Sequence, residues 1–182
     1  MFEMTKPMRT TLDAHVERHA ALSSRVWKVH RTHLYEAAVK QLGNTIGSEE
    51  LEVHFATMPA RYWQQVDRAA VLWHLETIHQ FFEVLANPDA PGTVPVVSWR
   101  PGRERNVTEL LVCTWDRQGL LAKTASVLAA VGLDIMQADI YTRADSVVLD
   151  IFHVSTPTAR RTPTKAQLAD VHRRLAEALR AG

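Results

Sequence analysis

The sequence predicts an α+β protein in which a helical region, about residues 1–90, precedes a sheet-forming unit over residues 93–182. Three observations predict it. Apolar residues recur at helical spacing as far as Leu85, two prolines and a glycine then fall within residues 87–92, and short apolar runs of strand length follow. The expected helices of the first region cover about residues 10–42, 49–57 and 67–86.

Thr10 or Thr11 supplies a cap for the first helix, and Gly43 with Asn44 ends it. Leu12, Val16, His19, Val26, His33 and Ala37 form its expected apolar stripe. Ser48, followed by Glu49 and Glu50, reads as the N-cap of the second helix with acids in its first turn, and Pro59 closes that helix. Asp67 starts the third, whose stripe of Val71, Leu75, Ile78, Phe82 and Leu85 is the most regular in the chain. Tyr62, Trp63 and Trp73 are aromatic mass that can fasten the helices to a core.

Past the break, Val94, Val96, Val97 and Trp99 mark a strand over 93–100, where Pro95 is tolerable only at an edge or a strand end. A turn through Pro101, Gly102 and Arg103 leads to the run 110–113, apolar on both faces and too short for a helix. From Leu120 the period changes. Leu120, Thr124, Val127 with Leu128, and Val131 lie on one side of a helix, and Gly132 stands where a left-handed C-terminal residue belongs. Strand-like runs over 134–142 and 146–154 are joined by Arg143, Ala144 and Asp145, which suit a hairpin. Thr162 and Pro163 then open a last helix with Leu168, Val171, Leu175 and Leu179 on one face. The order after the break is ββαββα.

Composition narrows the function classes. A net charge of +1 gives no electrostatic case for nucleic acid, and no run approaches the length of a membrane span. One cysteine, Cys113, excludes an internal disulfide framework and fits a reducing cytoplasm, so a cytoplasmic protein without membrane or nucleic-acid partners is expected. His15 and His19 share a helix face but lack the adjacent Glu of a metalloprotease, and His74 and His79 share no face, so no metal site is expected.

The motifs Asp116-Arg117-x-Gly119-Leu120, Gly132-Leu133-Asp134-Ile135, Ala138-x-Ile140-x-Thr142 and Leu149-Asp150-x-Phe152-x-Val154 together resemble an ACT domain, the small amino-acid-binding module of metabolic regulators. Within that superfamily they are most similar to the ACT domains of the bacterial PII uridylyltransferase/uridylyl-removing enzyme. The segment FATMPARYW at 55–63, followed by His74, is similar to the helical linker ahead of the first ACT domain in that enzyme. Gln118 stands where the family turn usually carries Pro, and the hairpin lacks Gly at 144 and 145.

The resemblance implies a ferredoxin-like sheet. An ordinary ACT domain is βαββαβ, and no strand-like run follows Leu179, so the edge strand is expected from the amino-terminal side, near Val96. The runs at 110–113 and 147–154 should lie in the middle of that sheet and the run at 134–142 outside. It also implies a regulatory role, a nitrogen-status sensor with glutamine as the first ligand to test. The amino acid would be held between the turn, at Thr114, Asp116, Arg117, Gln118, Gly119, Leu120 and Leu121, and the strand start at Asp134 and Ile135 of a neighbouring domain. The residues themselves suit this, since free amides of a first helical turn donate to a carboxylate and the two aspartates accept from an ammonium. A homodimer, or pairing with another ACT domain, is the matching assembly, and no cofactor is expected. The turn also has a plain structural reading, with Asp116 as an N-cap and Gly119 as a packing residue. Two other functions compete, an interaction module without ligand and a fragment of a larger nucleotidyltransferase. Catalysis by this chain is not expected, because the family's Gly-Ser turn with paired aspartates and its His-Asp metal pair are both missing from the sequence.

Overall fold

The structure, a computed structural model, describes residues 26–87, 94–157 and 161–180. The expected cap at Thr10 or Thr11, the residues Leu12, His15, Val16 and His19, and the break at 88–93 lie outside them. Helix α1 occupies 26–42, and α2 (Ser48–Thr57), α3 (Ala60–Gln65) and α4 (Arg68–Ala86) follow. Then come β1 (Val96–Pro101), β2 (Thr108–Trp115), α5 (Leu120–Ala130), β3 (Asp134–Thr142), β4 (Val147–Ser155) and α6 (Lys165–Arg180).

The strands form one open four-stranded sheet in the order β1-β2-β4-β3, and every pair is antiparallel. The two most apolar runs take the centre, where both faces are covered, and β3 takes an edge with most of its residues exposed. The amino-terminal strand forms the other edge, paired with β2 from Val96 opposite Cys113 to Pro101 opposite Thr108. Pro95 sits just ahead of the ladder, where its missing N–H costs nothing.

Alternation along the central strands divides the interior into two cores. Leu110, Val112, Val148, Phe152 and Val154 point to the side of α5 and α6, where Leu120, Leu128, Leu168, Val171, Leu175 and Leu179 complete one core. Leu111, Cys113, Val147, Leu149 and Ile151 point the other way, into a core built with α1 to α4. The amino-terminal helices therefore cover the sheet face that α5 and α6 leave open. Tyr62 and Trp63 lie at the centre of this second core, and the Tyr62 ring stands edge-on to Tyr141 of β3 at 5.0 Å. Cys113 is free and buried there, and burial pushes its thiol up.

Several local expectations are corrected. The buried face of α1 carries Leu34, Ala38 and Leu42, while Val26 and His33 are exposed and Ala37 is half-buried, so the stripe runs one residue out of phase with the expected one. Gly47, not Ser48, is the N-cap of α2. Pro59 follows the C-cap Met58 and caps α3, a helix the sequence pattern had not indicated. Asp67 does cap α4, accepting from the Ala70 amide at 2.8 Å. In α4 it is Phe81 that is fully buried, and Phe82 and Leu85 pack only at its margin. Thr164, not Thr162, caps α6, in a reciprocal pair: its Oγ1 accepts from the Gln167 amide at 3.2 Å and its own amide donates to Gln167 Oε1 at 3.0 Å. In the hairpin, Ser146 adopts φ 69° and β4 begins one residue later than expected, so a serine takes the left-handed position that a glycine more often fills.

Candidate functional site

The turn between β2 and α5 is anchored on both sides. The Asp116 amide donates to the Ser146 carbonyl at 2.7 Å, joining the turn to the hairpin, and Arg117 Nη1 donates to the Leu179 carbonyl at 2.6 Å, joining it to the end of α6. Arg117 is thus engaged in holding α6. Gly119 is the N-cap of α5 and adopts φ 77°, a left-handed conformation that L side chains disfavour. A Cβ there would meet nothing within 4 Å, so the space above it is open. No side chain caps α5, which corrects the reading of Asp116 as its N-cap.

Asp116, Gln118, Gly119 and Leu121 are exposed around this turn, whereas Leu120 turns inward to the α5–α6 core. Thr114 is fully buried beneath it. Its Oγ1 has no hydrogen-bond partner among the described residues, and neither do Thr124 Oγ1 of α5 and Asp150 Oδ1 of β4. Register places Asp150 opposite Val112 and Ile140, on the face that α5 covers. Burial, and then the charge of Asp116, push the Asp150 carboxyl up to about 7. The turn therefore carries an exposed carboxylate, Asp116, whose charge reaches the buried Asp150, and the buried hydroxyls of Thr114 and Thr124 have no partner among the described residues. The sequence signal for Asp150 was a single acidic residue inside an apolar strand run.

The other half of the expected site lies elsewhere in the chain. Asp134 is paired with Ser155 and Trp115 with Val147, so the start of β3 and the turn are eight residues apart along β4, or about 26 Å at the usual rise. A single chain does not bring Asp134 and Ile135 to the turn. Leu121 on the turn side and Ile135 with Met136 on the β3 side are among the few large apolar side chains left exposed.

Helical histidines serve the packing. His74 Nδ1 is 2.9 Å from the Tyr62 hydroxyl, His79 Nδ1 is 3.0 Å from Glu50 Oε2, and no group of side chains suited to a metal ion occurs among the described residues. No described helix is long and apolar enough to cross a membrane.

Known proteins resemble much of this chain. Over 127 residues, 70% of its length, it is 32% identical to the bifunctional uridylyltransferase/uridylyl-removing enzyme of Rhodospirillum rubrum. It is 28% identical over 119 residues to the enzyme of the same name from Azospirillum brasilense, and 33% identical over 93 residues to that of Gluconobacter oxydans. The chain spans about 12% of the length of the first two and 9% of the third. Most of the chain is thus a region like one segment of these much longer enzymes. No protein-family profile matches it.

Proposed function

We propose that this chain is a regulatory amino-acid-binding module of the ACT type, with a ferredoxin-like sheet whose edge strand is β1, and that glutamine is its first ligand. The reading is supported by the strand order β1-β2-β4-β3 with α5 and α6 on one face, and by likeness to a small segment of enzymes that act in uridylylation. The observation that carries it is the turn, where Asp116 is exposed, the first turn of α5 has no side-chain cap, and open space stands above Gly119. A ligand's ammonium belongs near Asp116, and its carboxylate near the uncapped first turn of α5.

Asp134 and Ile135 enter this site from a second copy or another domain of the same kind. Exposed Leu121, Ile135 and Met136 suit such a contact. These side chains also favour a second reading, an interaction module that pairs without a ligand. Uridylyl transfer and uridylyl removal are not assigned to this chain, which holds only a small fraction of the length of the enzymes so named.

Calorimetry and thermal-shift series over the twenty amino acids test the proposal. Glutamine is expected to bind with a Kd between about 10 µM and 1 mM, and Asp116→Ala to weaken it by about ten-fold or more. Gly119→Val is a poor control, because a side chain at φ 77° is strained whether or not a ligand binds. If no amino acid binds at millimolar concentration while light scattering finds a dimer, the interaction module is the better description.

A further inference from the structure

A cavity of about 560 Å³ opens at the opposite end of the sheet from the turn, between the β1–β2 loop, the start of α4 and the exposed edge β3. Its size falls within the usual range for small-ligand sites. One cross-strand row lies along it: Arg100 faces Glu109, Glu109 faces His153, and His153 faces Gln137. Arg100 Nε donates to Glu109 Oε2 at 2.6 Å, His153 Nε2 is 3.1 Å from Asp139 Oδ2, and Gln137 Nε2 donates to Asp139 at 2.9 Å.

Two features of this row are left uncommitted. The Arg100 guanidinium is held at Nε and lies over the Trp73 ring at 4.4 Å, yet neither of its Nη nitrogens has a hydrogen-bond partner among the described residues. It is an oriented fork with its carboxylate-matching edge unused. Glu109 Oε1 stands 3.9 Å from His153 Nδ1, beyond hydrogen-bond reach, so this nearly buried carboxylate retains acceptor capacity. Arg103, paired with Asp67, and Glu104 complete the charged lining, which sets two arginines against three carboxylates. Neither sign dominates. A simple anion would meet the carboxylates and a simple cation the arginines, whereas a molecule with both charges satisfies each side.

We propose that this cavity binds a small zwitterion, its carboxylate on the Arg100 fork and its ammonium on the Glu109 and Asp139 side. The site is separate from the turn and does not depend on the reading given to the turn. The test is a nitrogen-15 NMR titration of the full chain with glycine and glutamine as zwitterions, succinate as the anion and putrescine as the cation. The Trp73 indole and Arg100 Nε signals report the cavity, and the Gly119 amide reports the turn. Glycine or glutamine is expected to shift the cavity signals saturably, with succinate and putrescine weaker by about ten-fold or more. Arg100→Lys and Asp139→Asn should each weaken the zwitterion by about ten-fold, and the edge-strand variant serves should the first fail to fold. The inference is overturned if the cavity signals stay still at about 10 mM of either zwitterion, if succinate binds as tightly, or if both variants bind like the parent. Movement of the Gly119 amide alone would uphold the turn and reject the cavity; movement of the cavity signals alone would do the reverse.

Discussion

Asp150 occupies a position on β4 where its strand neighbours Val148 and Phe152 are aliphatic or aromatic, and the cost of burying its charge makes it a titrating element of stability. Its folded value of about 7 stands above the ordinary 3.8. Between those two pH values the folded chain keeps a proton that the unfolded chain has released, so stability falls as pH rises through the window. His74 acts in the opposite sense: burial, followed by the charge of Arg100, lowers it from 6.5 to about 3, so its contribution is lost as pH falls below 6.5. His54, fully buried beside Phe55, Tyr62 and Trp63, is lowered in the same direction by the same first cause. Asp150→Asn is therefore expected to raise the melting temperature by a few degrees at pH 8. It should also make the stability curve fall more steeply between pH 6.5 and 4, since the opposing carboxyl is gone. Thermal melts from pH 8 to pH 4 check both statements, and equal curves for variant and parent would contradict them. Asp150 was conspicuous in the sequence as a lone acid in an apolar run. The buried hydroxyls of Thr114 and Thr124 were not, because only packing of α5 onto the sheet buries them.

Element boundaries follow short-range chemistry that the sequence displays but does not rank. Two threonines compete to start α6, and the choice falls on Thr164 because Gln167, three residues on, can answer its amide while its hydroxyl answers that of Gln167. Thr162 is followed by the proline expected of a first turn, yet has no such partner three residues later, where Lys165 stands. Thr164→Ala is expected to cost about 1 kcal/mol in urea unfolding, with Thr162→Ala close to neutral. A larger loss at Thr162 would show the cap to be misassigned. The same local logic explains the end of α5. Gly132 at φ 76° lets Leu133 donate to Leu128 and Gly132 to Ala129, each at 3.0 Å, closing the helix as its glycine foretold. Helix α3 is not legible in the sequence because six residues are too few for a periodic stripe, and Tyr62 and Trp63 mark only aromatic mass there. The face of α1 is weakly written in the sequence because alanine and valine mark a stripe poorly. Leu34 and Leu42, the larger anchors, fix the true one.

Across the whole molecule, the sheet is a partition that belongs to both cores. Its central and outer strands were legible from the resemblance, which puts the runs at 110–113 and 147–154 in the middle of the sheet, and the apolar pattern of the runs agreed with that placement. What lay on the second face was not, because a pattern of buried residues says that a face is covered and not by what. The cover is α1 to α4, and this bears on how far residues 94–182 form a unit by themselves. Without those helices, Leu111, Cys113, Val147, Leu149 and Ile151 are bared on one surface. At roughly 1.5–3 kcal/mol for each large aliphatic side chain, the loss is on the order of 10 kcal/mol, comparable with the whole stability of a small domain. The piece 94–182 is therefore expected to self-associate or bind a hydrophobic dye strongly, although it keeps all four strands. Removing β1 as well should worsen this, because the long apolar β2 then becomes an open edge. Light scattering and dye binding on the two truncations beside the full chain provide the comparison. A monomeric 94–182 with cooperative unfolding and no dye binding would mean that the α5–α6 core suffices to hold the sheet, and that the amino-terminal helices rest on a face able to stand in water.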